Sequence, residues 1–305
     1  MRHAARLRLD AGNGPSGGTT QEGLRADPEV AILLSAQRPD GGWAGPSFYA
    51  PKHRSTLHTL AVLAELGVDR SFPEIERAAD FAFAFQAANG EFYQHRRVEG
   101  GRPSTLAPVP CVTARAAAYL AGLGYGGDTR VAKAIQYLLS IQRQDGSWSC
   151  GDKAMPRGYV SEKGCLGMTC CFLALADTAP ALSRGHPATR SAALFAERLY
   201  LRDPRGFHVG NTWAVLPHPS FPMDLADTGR HLVTIVGLTP RVSEGVELCL
   251  QKRRSDGLWA ADGHPYRPPL PPDRRGEPSA WVTLRVARFL KAARRAGRGK
   301  PPDAG

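Results

Sequence analysis

Gln142-Arg-Gln-Asp145-Gly146-Ser-Trp148 has the residues of a turn between two helices. Asp-Gly ends a helix with a residue that tolerates positive φ, and the Trp that follows can cover the exposed helix end. The preceding Gln can hydrogen-bond backbone groups of a neighbouring turn. Just upstream, the run from Val131 to Ile141 places Ile135, Leu138, Leu139 and Gln142 on one helical face.

The same chemistry recurs along the chain. Gln37-Arg-Pro-Asp40-Gly41-Gly-Trp43 keeps Gln, Asp, Gly and Trp in register, and Gln86-Ala-Ala-Asn89-Gly90-Glu-Phe92 replaces Asp by Asn and Trp by Phe. Gln251-Lys-Arg-Arg-Ser-Asp256-Gly257-Leu-Trp259 carries an insertion, and Asp203-Pro-Arg-Gly206-Phe207 is a reduced copy. The glycines Gly41, Gly90, Gly146, Gly206 and Gly257 lie about 50 to 60 residues apart, too long for tetratricopeptide or ankyrin units. Each interval has room for two helices and a loop. The second helix of each unit is predicted over Ser55 to Leu66, Thr113 to Leu123, Gly167 to Asp177, Asp224 to Val236 and Trp281 to Ala293. The chain therefore reads as all-α, built from about five helix-turn-helix repeats.

Lys133-Ala134-x-x-Tyr137-Leu138-x-x-x-Gln142-x-x-x-Gly146-x-Trp148 resembles the QW motif of the squalene-hopene and oxidosqualene cyclase family, and Arg77-Ala78-x-x-Phe81 through Phe92 is a near copy. The likeness extends in weaker form over residues 28–295 and takes in the protein prenyltransferase β-subunits. It implies an α/α toroid of the α6/α6 type, with inner helices around an apolar central cavity and an outer ring stapled by the turns. Residues 1–25 are expected to be a disordered lead, 26–295 one toroid domain and 296–305 a disordered tail.

Composition narrows the function classes. No stretch approaches the roughly 20 apolar residues of a spanning helix, and the N-terminus has basic residues without the apolar region of a secretory signal. The formal charge of +11 is spread along the chain without interleaved aromatics, so nucleic acid is not an expected partner; association with a membrane surface through anionic headgroups is. Six cysteines without an export signal suggest reduced thiols and a cytoplasmic protein. No Asp-Asp-x-x-Asp motif, phosphate loop, Gly-x-Ser-x-Gly elbow or Gly-Cys-Gly-Glu-Gln segment is present.

Chemistry is then sought on the second helices, which would line the cavity. In Pro222-Met-Asp224-Leu-Ala226-Asp227-Thr228-Gly-Arg-His231, the spacing puts Asp224, Asp227 and His231 on one helical face. Carboxylates facing an apolar cavity can hold a proton at raised pKa, as protonation of an alkene or epoxide demands. The plainer reading has Asp224 and Asp227 in a first turn, stabilising the helix dipole. The segment resembles the Asp-x-Asp-Asp-Thr acid motif of class II terpene cyclases, with Ala226 where that family has its central proton-donating Asp. The resemblance implies an isoprenoid ligand, Asp224 or Asp227 as donor, His231 orienting the donor, and Trp213 and Phe221 as candidates to stabilise cations through their ring faces.

The loops after the turns add Phe48, Tyr49, His53 and Tyr159 as candidate substrate contacts, while Lys52, His53 and Arg54 could meet a diphosphate or form a solvated helix approach. His58 reads as a core residue. No cofactor is expected for a cyclase. The alternatives are a non-catalytic toroid that binds a lipid, peptide or partner protein, and a zinc-dependent prenyl or group transferase with Cys111, Cys150 and Cys165 as ligands.

Overall fold

The computed structural model describes residues 20–51, 53–94, 109–149, 164–202, 216, 223–262, 270 and 273–298. Its helices in chain order are α1 (Gln21–Arg25), α2 (Pro28–Ser35), α3 (Thr56–Leu66), α4 (Pro73–Phe83), α5 (Pro110–Leu120), α6 (Thr129–Ser140), α7 (Leu166–Thr178), α8 (Pro187–Leu199), α9 (Leu225–Ile235), α10 (Pro240–Gln251) and α11 (Ala280–Arg298). Among the described residues there is no strand, only the isolated bridges Gln86–Phe92 and Ala260–Pro278. No described helix is long and apolar enough to cross a membrane.

From α2 onward the helices alternate between two rings. The outer helices α2, α4, α6, α8 and α10 each begin at or next to a proline or a capping side chain such as Asp27, Asp128 or Thr239. Proline suits a first turn because its missing N–H has no helical partner to lose. The inner helices α3, α5, α7, α9 and α11 are buried on most sides, with α5 carrying Ala114, Ala116, Ala117 and Ala118 so that its neighbours can approach closely. Consecutive inner helices pack on one another, α3 on α5, α5 on α7, α7 on α9 and α9 on α11. The result is an all-α toroid.

The turns staple the outer ring by a repeated geometry. Gln142 Nε2 donates to Gly146 O of its own turn and to Ala188 O in the first turn of α8, both at 3.0 Å. Gln37 and Gln86 do the same toward Glu74 O of α4 and Arg130 O of α6. Each turn's glycine lies against the backbone of that next helix: a Cβ on Gly41, Gly90 or Gly146 would sit 2.3 Å from the carbonyl oxygen of Arg77, Lys133 or Ser191. The indole N–H of Trp43, Trp148 and Trp259 donates to the carbonyl ten residues upstream, on Leu33, Leu138 and Cys249, sealing the end of the outer helix. Meanwhile the backbone N–H of Trp43, Phe92 and Trp259 donates to Thr56, Thr113 and Thr283 near the starts of α3, α5 and α11. One turn thus fixes its own two helices and the next outer helix. Replacing Gln142 by Ala removes these bonds together with one to Ser191 Oγ at 3.3 Å and leaves two carbonyls short of a donor, so we expect a loss of about 1–3 kcal/mol, measurable by urea unfolding.

The turn of Gln251 departs from this plan. Among the described residues the Gln251 side chain makes no staple; Arg253 Nε donates to Gly257 O instead, and the atom nearest a Cβ on Gly257 would be Arg253 Nη2 at 3.1 Å. Between the last and first inner helices, α11 and α3, the described links are ionic, from Arg285 and Arg288 to Glu65. The segment Asp203 to Phe207 lies outside the described residues.

Two boundaries differ from expectation. The lead anticipated to residue 25 already holds α1, because Thr20 caps it, Leu24 is buried, Gln21 Nε2 donates to Gly67 O and the Arg25 guanidinium lies over Phe72. At the other end α11 runs on to Arg298, with no helix breaker before it other than Gly297.

Candidate functional site

The sides of α9 are defined by what they touch. A Cβ on Gly229 would lie 2.5 Å from Phe289 of α11 and 2.6 Å from the Tyr200 hydroxyl, so that side is pressed against neighbours. Thr228 meets Cys170 of α7 at 3.7 Å. Asp224, Asp227 and His231 lie on the side away from Gly229, where they meet Arg285 of α11 and Asp177 of α7.

Asp224 is the N-cap of α9. Its Oδ1 accepts from Ala226 N and Asp227 N, each at 2.8 Å, while Oδ2 lies 3.3 Å from Arg285 Nη1. Asp227 pairs with the same nitrogen of Arg285, and Arg285 Nη2 reaches Glu65 Oε2 of α3 at 2.8 Å. Arg288 Nη1 adds a second cation 3.5 Å from Glu65 Oε1. Three carboxylates thus face two guanidinium groups. With every group ionised the cluster is one negative charge in excess, so one bound proton makes it neutral.

Asp224 is the carboxyl whose affinity for a proton is raised. Burial, and then the neighbouring Asp227 carboxylate, push its carboxyl up to about 7, while Arg285 and the two backbone N–H groups act in the opposite direction. Arg285 is itself buried, which works against its charge, but Asp227, Glu65 and Asp224 hold it firmly protonated. Asp224 is thus a helix cap whose carboxyl is pushed toward its protonated form.

His231 sits elsewhere on the same face. Its Nδ1 is 3.0 Å from Asp177 Oδ2 of α7, and Arg230 pairs with that same oxygen. Burial opposes the Asp177 charge, yet His231 and Arg230 hold the carboxyl far below the usual aspartate range. The expectation that His231 orients the acid is not what its contacts describe, since its carboxylate partner is Asp177.

The remaining candidates are spread over the ring. Phe48 is fully buried, with its ring 5.6 Å from Phe85 and 5.8 Å from Phe92, and so serves the packing between the first two units. Tyr49 and His53 lie beside His58, with ring centroids 5.5 and 5.2 Å away, and Ser55 Oγ is 2.8 Å from His58 Nδ1. Cys165 caps α7, its sulfur 3.4 Å from Met168 N, and Cys111 lies in the first turn of α5. Among the described residues no group of three or more His, Cys, Asp or Glu side chains is placed to hold a metal. Cys150, Tyr159, Trp213, Phe221 and Lys52 lie outside the described residues.

Glu65, Asp177 and Arg285 were not among the candidates, although Glu65 and Asp177 are each the sole charged residue of an otherwise largely apolar inner helix and could have been found by that contrast alone. Arg115 is another, 1% exposed in α5 with its Nε donating to the Tyr119 hydroxyl at 3.2 Å. The described centre of the ring is therefore ionic as well as apolar.

The family model of the squalene-hopene cyclase C-terminal domain matches residues 16–159. Among solved structures, the apo type II terpene cyclase MstE from Scytonema aligns with a TM-score of 0.50 at 19% identity, over 88% of this chain and 75% of that one. A protein from Actinoplanes aligns with a TM-score of 0.51 at 19% identity, over 95% and 88% of the two chains. No curated protein sequence matches the chain. At 19% identity the structural likeness is one of fold. The chain thus shares its helical toroid with a type II terpene cyclase and, over residues 16–159, is similar to the squalene-hopene cyclase C-terminal domain.

Proposed function

We propose that the chain binds a linear isoprenoid in the centre of the toroid and starts its cyclisation by protonating an alkene or epoxide from Asp224. The observation that carries this reading is a buried carboxyl at the start of the inner helix α9, in a cluster that one proton makes neutral. In the reaction, the Asp224 O–H bond breaks, the proton adds to the substrate, and the conjugate carboxylate is left on two backbone N–H groups and Arg285. Those donors are in place before the reaction and need not reorganise as the charge forms. Ala226 replaces the central Asp of the acid motif, and in this reading Asp224 takes over the donor's role two residues earlier.

Support for an isoprenoid comes from the family match over residues 16–159 and from the structural likeness to a type II terpene cyclase. Trp213 and Phe221 are proposed to face the cationic intermediates, and no cofactor enters the scheme. The excess of positive charge suits contact with anionic headgroups, where such an apolar substrate would be held. A second reading, a toroid that binds its ligand without turning it over, is favoured by the ion pairs that already engage Asp227 and Asp224.

The test is incubation of the purified chain with farnesyl and geranylgeranyl diphosphate and squalene, with products read by mass spectrometry. Cyclic products from the parent, with turnover lost by a hundredfold or more in Asp224→Asn, are the expected result. Asn keeps the capping oxygen, so the variant should stay folded. Undiminished turnover in Asp224→Asn overturns the acid assignment, and bound but unchanged substrate supports the second reading.

A further inference from the structure

One seam of the ring is held by charge. Consecutive inner helices pack on one another from α3 to α11, but among the described residues α11 and α3 do not pack in this way. Arg285 joins them, its Nε and Nη2 donating to the two oxygens of Glu65 at 3.1 and 2.8 Å, with Arg288 Nη1 3.5 Å from Oε1. The outer ring is unstapled at the same place. Arg77, Lys133 and Ser191, the fifth residues of α4, α6 and α8, each receive the glycine of the preceding turn. The fifth residue of α2 is Ile32, and it is 54% exposed. At the other end of the chain Gln251 is exposed, and Gly257 rests against the Arg253 side chain instead of a helix backbone. Both halves of one more staple are present but not joined.

We propose that α3 and α11 form a gate, and that Glu65 arms Asp224 when the gate shuts; the inference rests on the acid role given to Asp224 above. With the seam open, Asp224 and Asp227 face Arg285 and Arg288, two charges against two, and Asp224 stays ionised. Closing brings in Glu65, the carboxylates outnumber the guanidinium groups by one, and Asp224 takes one proton from water to restore the balance. Only an O–H bond forms. The other groups around Asp224 do not alter this count: Asp177, Arg230 and His231 lie on α7 and α9 and pair with one another. Tyr200 at the end of α8, Cys249 of α10 and Cys170 of α7 are held neutral by burial. Glu65 is thus a positioning residue that acts through Arg285. An apolar chain can enter while the acid is unarmed, and the proton becomes available once the ring has shut around it.

Two measurements test this without any substrate. The ¹³Cγ signal of Asp224 is titrated in the parent, Glu65→Gln and Arg288→Gln. Removing the Glu65 carboxylate should lower the midpoint from about 7 to below about 6, and removing the Arg288 cation should raise it above the parent's. A merely loosened structure would move both variants the same way. Because the closed ring binds one more proton than the open one, low pH should hold the seam shut. Nitroxide-bearing side chains in place of Ile32 and Leu250 report on the seam, and a pair in place of Ile141 and Leu194 is the control across the stapled junction of α6 and α8; all four positions are exposed. The first distance distribution should be narrow at about pH 5 and broaden at about pH 8, while the second stays the same. An unchanged midpoint in Glu65→Gln, or a seam distance that ignores pH, overturns the gate and leaves the Asp224 reading intact. A parent midpoint near the ordinary aspartate value of about 4 defeats both.

Discussion

Arg285→Met should destabilise the protein by about 3–5 kcal/mol, because it leaves buried carboxylates without their shared cation. Asp224, Asp227 and Glu65 come from two inner helices that are far apart in sequence, and the Arg285 guanidinium joins them from a third. Methionine fills a similar volume, so the loss reports the charge rather than a cavity. The cost should depend on pH, since at mildly acid pH the orphaned carboxyls can take up protons and the penalty shrinks. Adding Glu65→Gln and Asp227→Asn to Arg285→Met should recover a large part of the stability, because the cluster is then nearly uncharged. Equal destabilisation at pH 5 and 8, read from urea midpoints, would show that the guanidinium's role is packing alone.

Gly146→Ala is expected to cost about 2–5 kcal/mol, from two sources that reinforce each other. Gly146 has φ +85°, a left-handed conformation that L side chains adopt with strain. Its missing Cβ is also what allows the turn to rest on α8, since a methyl there would stand 2.3 Å from Ser191 O. The carbonyl is backbone, so it cannot swing away like a side-chain tip, and the staple from Gln142 to Ala188 would be pulled apart with it. Gly257→Ala makes the internal comparison: its φ of +82° is similar, but its nearest neighbour is the movable end of Arg253. Its cost should be the smaller of the two, by thermal or urea unfolding. The difference between them measures the close approach separately from the backbone strain.

The sequence was most readable where local chemistry decides the structure. Turns rich in Asp-Gly and Trp, spaced for two helices each, led to the inner helices within a few residues of where they stand; α3, expected over Ser55 to Leu66, is Thr56–Leu66. α5 starts three residues before the expected Thr113, since Pro110 occupies a first turn that tolerates proline. Less visible was the recurring threonine near the start of each inner helix, of which Thr56, Thr113 and Thr283 receive the backbone N–H of the preceding turn. The acid segment could be found because Asp224 and Asp227 are close in sequence. Its counter-charges could not be found in the same way: Glu65 and Arg285 are 220 residues apart, and only closure of the ring brings them together. His231 was expected on one face with the carboxylates of α9, but its described carboxylate partner, Asp177, comes from a neighbouring helix.

The protonation of Asp224 is the point on which the account rests, and it has a thermodynamic signature. The carboxyl is raised from an ordinary 3.8 to about 7, so between those values the folded chain keeps a proton that the unfolded chain releases. Stability contributed by this group is therefore present at low pH and lost as pH rises from about 4 to about 7, the reverse of a salt-bridged aspartate. The most direct measurement is the ¹³Cγ shift of Asp224, assigned by its disappearance in Asp224→Asn and followed through the acid and neutral range. The account predicts a titration centred near pH 7, and a midpoint near the ordinary aspartate value of about 4 would contradict it.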